Sequence, residues 1–270
     1  MSHNLLKGKK GIIFGALDER SIAWRTALAC YEEGASLLLT NAPVAMRMGE
    51  INKLAEAVKA PVVPCDVSSN EDVENLLKQA MEHFGGPVDF ILHSIGMSLN
   101  VRKGKHYTEL DYGFNVKSLD ISATSLHRVL ATALKLDAIA EWGSVVALSY
   151  IAAQRVFPDY NEMADAKALL ESITRSFGYH YGVQKKVRVN TISQSPVRTT
   201  AGSGVKGFDG FMQYAEKMSP LGNATADECA NYCVMLFSDM TRKVTMQNLF
   251  HDGGFSFTGV TPEVIAQMEK

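Results

Sequence analysis

A doubly wound α/β fold, one domain with a seven-stranded parallel sheet flanked by helices, is predicted by three observations on the 270-residue chain. Short β-rich runs alternate with amphipathic stretches from end to end, the pattern of parallel strands joined by helical crossovers. The stretches between them carry apolar residues at helical spacing, so that one face of each can cover a sheet. No internal repeat, low-complexity segment or Pro/Gly linker divides the chain, so residues 1–270 are read as a single unit.

The runs "KKGIIFGA", "ASLLLTN", "APVVPCDV", "VDFILHSIG", "GSVVALS", "KVRVNTIS" and "MQNLFHDGG" are the seven expected strands. Between the third and fourth, "SSNEDVENLLKQAMEHFGG" predicts a helix opened by a capping box of Ser68 with Glu71 and closed by Gly85-Gly86. Its Val73, Leu76, Leu77, Ala80 and Met81 form the face turned to the sheet. After the sixth run, the stretch from Ser193 to Pro220 breaks the rhythm. It is rich in Gly, Ser and Thr in its first half and is read as a substrate-loop insertion over about 194–220, a lid with a short helix around Phe211 to Lys217.

Composition narrows the function classes. With 27 basic and 29 acidic side chains the net charge is −2, and no charge run marks a nucleic-acid tail or a membrane patch. "MSHNLLKGKKGIIFGAL" lacks the apolar core of a signal peptide, and no apolar run approaches the roughly 20 residues that cross a bilayer. A cytoplasmic protein is expected. Cys30, Cys65, Cys229 and Cys233 form no C-x-x-C pair and no metal pattern, and are expected to pack as small apolar residues.

Three expected strand ends converge on one crevice, where ligands bind in open α/β sheets. After the first, "GALDERSIA" lacks the G-x-G-x-x-G fingerprint, yet Gly15 permits a sharp turn, and the backbone of Ser21 and Ile22 can offer N–H groups at a helix N-terminus to a pyrophosphate. After the third, "CDV" places Asp66 where it could accept an adenine amino group or cap the next helix. After the fourth, "HSIG" places Gly96 where backbone must approach a ligand closely, beside His93, whose ordinary reading is a satisfied structural group. The second strand ends without an Asp or Glu to grip a ribose. Asn41 and Ala42 suit an uncharged ribose, and so NADH, while Arg47 is the residue that would reverse that preference.

The spaced set "GALDERSIA", "CDV", "HSIG", "SY" followed by "YNEMADAK", "VRVN", "SPVRT" and "DGGFS" closely resembles the bacterial enoyl-acyl-carrier-protein reductases of the short-chain dehydrogenase/reductase superfamily, over essentially the whole chain. Tyr160 and Lys167 stand as Tyr-x6-Lys, where ordinary members of the superfamily carry Tyr-x3-Lys and a serine at the place of Ala147. Tyr150 stands where the enoyl reductases have a second tyrosine. The resemblance implies a Rossmann-like fold, NADH-dependent reduction of trans-2-enoyl thioesters, an acyl carrier protein that delivers the substrate, and a homotetramer.

It also implies the site. Reducing a C=C bond conjugated to a thioester drives negative charge onto the thioester oxygen, which a neutral hydroxyl stabilises as the charge forms; Tyr160 is the candidate. Lys167, two helical turns further along the same helix face, would reach the nicotinamide ribose and favour the developing anion. Tyr150 would line the substrate pocket. Gly15, Ser21, Ile22, Ala42, Asp66, Val67, Ser94, Ile95, Gly96, Lys167, Val197, Thr199 and Ala201 are the implied cofactor residues. Ser98, Met163 and Phe208 join the two tyrosines on the substrate side, and no metal is expected. The lid would bend at Gly202, Gly204 and Gly207, with Arg198, Lys206 and Lys217 adding positive charge for an acidic carrier protein.

Departures from the family pattern bear on cofactor preference and pocket shape: Gln194-Ser195-Pro196 in place of Ala-Gly-Pro, and Ala42, Ala164 and Arg25 in place of Gln, Gly and Gly. Two alternatives remain: a superfamily reductase acting on a ketone or another enone, and a non-catalytic nucleotide-binding regulator. The Tyr-x6-Lys spacing argues against the first, and the intact Tyr160 and Lys167 against the second.

Overall fold

The computed structural model describes residues 2–47, 50–200 and 207–269. Among them are six strands, β1 (Lys10–Phe14), β2 (Ser36–Thr40), β3 (Val88–His93), β4 (Ile139–Ser149), β5 (Arg188–Gln194) and β6 (Asn248–His251), in one parallel sheet of order β2-β1-β3-β4-β5-β6. The order reverses between β1 and β3, which places the crevice at the ends of those two strands.

The third of the seven expected strands, "APVVPCDV", does not form. It makes one bridge to β2, Leu39 with Val62, supported by Leu39 N–H to Pro61 O and Val63 N–H to Leu39 O. Pro61 has no N–H to continue that ladder toward Leu37, and β2 itself ends at Thr40. The segment is a tether along the sheet edge, and its end still carries Asp66 to the crevice.

The helices are α1 (Ile22–Glu32), α2 (Pro43–Met46), α3 (Ile51–Val58), α4 (Asn70–Phe84), α5 (Leu99–Arg102), α6 (Tyr112–Leu119), α7 (Ser125–Lys135), α8 (Glu162–Lys185), α9 (Phe208–Met218), α10 (Ala226–Phe237) and α11 (Pro262–Met268). Two cores cover the two faces of the sheet. One joins β-strand residues such as Ile12, Ile91 and Val145 to α4, α7 and α8 through Leu76, Leu130 and Leu170. The other joins Ile13, Leu39 and Leu92 to α1, α3 and α10 through Ala27, Leu54 and Phe237. This is the doubly wound arrangement.

Helix α4 follows its expected pattern, with Val73, Leu76, Leu77 and Ala80 buried and Gly85 as a left-handed C-cap at φ 67°. Its start is one residue later than expected. Ser69, not Ser68, is the N-cap, accepting from Asp72 N–H at 3.1 Å, because Ser68 is held by Asp66 instead. Helix α10 opens with a full capping box, Thr225 with Glu228. All four cysteines are free and buried, as expected of small apolar residues.

Candidate active site

The crevice starts at Gly15. Its φ of +92° lies in the region that favours glycine, and a Cβ there would come within 1.9 Å of the Ser94 carbonyl oxygen. Gly15 therefore lets the ends of β1 and β3 close together. Ser21 caps α1, accepting from Trp24 N–H at 3.2 Å and donating to Asp18 O at 2.9 Å. Its own N–H is also bound, to Asp18 O. Among the described residues, the Ile22 and Ala23 N–H groups have no acceptor, so the free donors begin at Ile22, one residue later than expected. These donors fit a pyrophosphate at a helix N-terminus.

Asp66 is exposed at the crevice rim. Its Oδ1 accepts from Ser68 Oγ at 2.7 Å and Ser68 N–H at 2.9 Å, bonds that hold its carboxyl below the ordinary value. It shapes a turn and does not cap α4. Val67 is buried, with its carbonyl bound by Arg128 Nη1 at 2.6 Å. Ser94 and Ile95 are half-buried and Gly96 is exposed, where a Cβ would touch Met163 Cε at 3.4 Å. Asn41 turns inward, its Nδ2 donating to Ala16 O at 2.9 Å and its Oδ1 accepting from Ala42 N–H. Ala42 starts α2, and Arg47 lies exposed at its end.

His93 is fully buried. Ser125 Oγ donates to Ile121 O at 2.7 Å, so it accepts from His93 Nε2, 2.9 Å away, which fixes the proton on Nε2. Burial, with the Lys167 charge in addition, pushes the imidazole down to about 3, so it stays neutral.

Lys167 is nearly buried, and its Nζ donates to Leu148 O at 2.6 Å. Burial lowers its amine to about 8, against the opposing pull of the Glu171 carboxylate one turn on. Glu171 in turn accepts from Ser149 Oγ at 2.7 Å and Gln154 Nε2 at 3.3 Å.

Tyr160 does not share a helix with Lys167, contrary to expectation. It ends a one-turn 3-10 helix, Pro158–Tyr160, and Asn161 then adopts φ 48° and ψ −137° before α8 begins at Glu162. A positive φ at a non-glycine residue costs about 1–3 kcal/mol and persists only where its surroundings hold it. Asn161 is buried, its Nδ2 donating to Lys105 O at 2.5 Å.

The two phenols meet regardless, with Tyr150 and Tyr160 ring centroids 5.1 Å apart. Burial pushes both hydroxyls well up, so both are neutral donors. The Tyr150 hydroxyl is buried and has no hydrogen-bond partner among the described residues.

Phe157 and Phe211 pack on Tyr150 at 5.6 and 6.3 Å, and Phe255 closes the group against both phenylalanines. These three aromatics were not singled out in the sequence, because they come from three separate elements. Phe208, expected to cover the pocket, is half-buried at the start of α9 and outside this stack; Phe211, almost one turn on, faces it. Met163 is buried, its Sδ 3.7 Å from Ser122 Oγ. Ser98 caps α5, and its hydroxyl donates to Glu162.

Past β5, the side chains of the departing segment turn into the fold. Gln194 Oε1 accepts from His251 Nδ1 at 2.8 Å, and Ser195 Oγ accepts from Ala224 N–H at 3.0 Å. Val197 and Thr199 are half-buried, with Thr199 N–H on Val197 O at 2.7 Å. Arg198 is paired with Asp209 at 2.6 Å, so its charge is already matched. Gly207 has φ +71° and leads into α9, while Ala201, Gly202, Gly204 and Lys206 lie outside the described residues. No group of three or more His, Cys, Asp or Glu among the described residues is placed to hold a metal.

The family model described as enoyl-(acyl carrier protein) reductase matches residues 15–256. The chain belongs to this family. It is 36% identical over 261 residues to the enoyl-acyl-carrier-protein reductase (NADH) FabI of Aquifex aeolicus, covering 95% of this chain and 94% of that protein. Among solved structures it resembles the FabI–NADH complex of Alistipes finegoldii, with 63% identity and a TM-score of 0.95 over 96% of this chain and 92% of that one. The Bacillus cereus enoyl-acyl carrier protein reductase with NADP+ and indole naphthyridinone matches with 30% identity and a TM-score of 0.89, over 96% of this chain and all (100%) of that one.

Proposed function

We propose that this chain reduces the C=C bond of trans-2-enoyl thioesters presented on acyl carrier protein, using NADH, in fatty acid synthesis. The observation that carries the reading is the facing pair Tyr150 and Tyr160, with the buried Lys167 bound to Leu148 O two residues before Tyr150, within a chain of the enoyl reductase family. When bound, NADH supplies the hydride.

The protein's own groups do the rest. Tyr160, kept neutral by burial, donates its hydroxyl to the thioester oxygen as charge gathers there, in a site walled by aromatic rings where such a bond is stronger than in water. Lys167, held on β4 by its bond to Leu148 O, meets the ribose hydroxyls with its remaining donors and holds a positive charge under the site. Tyr150 lines the pocket for the enoyl group together with Phe157 and Phe211, and Met163 is read as joining them from its place beside Gly96 and Ser122. Gly15, Ile22, Asp66, Val67, Ser94, Ile95, Gly96, Val197, Thr199 and Ala201 hold the cofactor, the first two at its pyrophosphate. Ser21 and Ser98 serve through the helix starts that they cap.

NADH over NADPH is supported by Ala42 and the inward-turned Asn41, and by the similarity to the NADH reductase of Aquifex aeolicus. The region 194–220, which includes α9, is read as a lid. A homotetramer is supported by the family resemblance and by exposed apolar side chains on α6 and α8, Tyr112, Val116, Tyr179 and Val183. A cytoplasmic location rests on the resemblance alone; no described helix is long and apolar enough to cross a membrane.

Following NADH absorbance with a trans-2-enoyl thioester and, separately, a 3-oxoacyl thioester tests the reaction. Turnover of the first and none of the second is expected. Turnover of only the ketone, or of neither, would overturn the proposal.

A further inference from the structure

Glu162 is a second acid inside the site's wall. It is the first residue of α8 and is 0% exposed, a burial that glutamates tolerate only with partners. Its Oε1 accepts from Ser98 Oγ at 2.5 Å and from Ser118 Oγ at 3.1 Å, while its Oε2 has no partner among the described residues. Ser98 also caps α5, accepting from Val101 N–H at 2.9 Å, and Ser118 lies in the last turn of α6. One carboxyl group thus joins the starts of α5 and α8 to the end of α6.

Tyr160, two residues earlier, makes no hydrogen bond through its own hydroxyl among the described residues. What aims it is the backbone that follows, and that backbone is held at two consecutive points: Asn161 on Lys105 O, and Glu162 on the two serines. Both points lie on the single segment 98–118. The φ of 48° at Asn161 needs such a hold, because an unrestrained asparagine turn would relax and swing the phenol with it.

We infer that Glu162 is a positioning residue for Tyr160, a clamp between the 98–118 segment and the turn that carries the phenol. The inference rests on the reading of Tyr160 as the hydroxyl donor. Lys167 is anchored separately, on β4 at Leu148, so the clamp governs the tyrosine and not the lysine.

Steady-state kinetics on the full-length protein test it, with Glu162→Ala, Glu162→Gln, Ser118→Ala and Tyr160→Phe compared with the parent. Glu162→Ala is expected to lower kcat about tenfold or more while the KM for NADH stays within about twofold, since small misplacements of a catalytic group cost rate and not cofactor affinity. Glu162→Gln, whose amide oxygen can still accept from both serines, should restore most of kcat.

Full kcat in Glu162→Ala, a loss in Glu162→Gln as large as in Glu162→Ala, or a rise in KM for NADH that matches the fall in kcat would each overturn the clamp. Should Glu162→Ala not fold, Ser118→Ala decides: a fall in kcat of about threefold at unchanged KM supports the clamp, and parental kcat overturns it. Undiminished activity in Tyr160→Phe would remove the reading of Tyr160, and the clamp with it. A dead Tyr160→Phe beside unaffected Glu162 and Ser118 variants would remove the clamp alone.

Discussion

The rings of Tyr150 and Tyr160 lie 5.1 Å apart between centroids and are tilted by 55°, so two neutral phenols from different elements share one wall of the site. They are not equivalent. Tyr150 follows β4 and is enclosed by Phe157 and Phe211, while Tyr160 sits on the turn into α8. Tyr160→Phe should lower kcat by about 100-fold or more, the scale of losing one oxyanion donor. Tyr150→Phe, which removes a hydroxyl that has no partner among the described residues, should lower it far less. Equal losses in both variants would contradict this division of roles.

The pH dependence belongs to Lys167. Its amine is lowered by burial to about 8, so the free protein carries the charge at pH 7 and loses it as the pH rises through that value. The kcat/KM for NADH, which reports the free enzyme, should fall above about pH 8. Lys167→Ala should bind NADH weakly at every pH and lose this limb of the profile. Unchanged NADH affinity in that variant, by titration of cofactor fluorescence, would sink the assignment.

Cofactor choice turns on the end of β2. Ala42 offers no charge to a 2′-phosphate, and Asn41 is occupied with Ala16 O and Ala42 N–H, so NADH should give the larger kcat/KM. Equal or better kcat/KM with NADPH would reverse the reading and point to Arg47, which Arg47→Ala would confirm by removing the NADPH activity alone.

The lid reading is open to hydrogen exchange. Helix α9 rests on the body mainly through Ala215 and Met218 at its far end, with Phe211 turned to the tyrosines. Exchange across 194–220 should slow when NAD and a substrate analogue are bound together, because closing over the acyl chain excludes water. Equal protection with and without ligands would make the segment a fixed wall.

Much of this was legible in the sequence because it depends on local pattern. Alternating runs marked the sheet, Gly15 marked the tight turn, and the spacing of Tyr160 and Lys167 carried the resemblance to the enoyl reductases, the family to which the chain belongs. What was not legible depends on what each residue meets in space. "APVVPCDV" is as apolar as a strand, but Pro61 withholds the donor that the ladder needs. "YNEMADAK" reads as one helix, and only the positive φ of Asn161 divides it. Phe157, Phe211 and Phe255 converge from a loop, a helix and a 3-10 turn, so no periodicity connects them. Glu162 carries no signal in the sequence, because Ser98 and Ser118 reach it from 64 and 44 residues away.

The most direct test of the central claim is the mass and position of label in the product when the protein turns over a trans-2-enoyl thioester with NADH carrying deuterium at the transferred position. The account predicts a saturated acyl thioester with one deuterium on the β-carbon and a solvent hydrogen on the α-carbon, formed by the parent and almost lost in Tyr160→Phe. Deuterium on a carbinol carbon, no label in the thioester, or full labelling by Tyr160→Phe would contradict it.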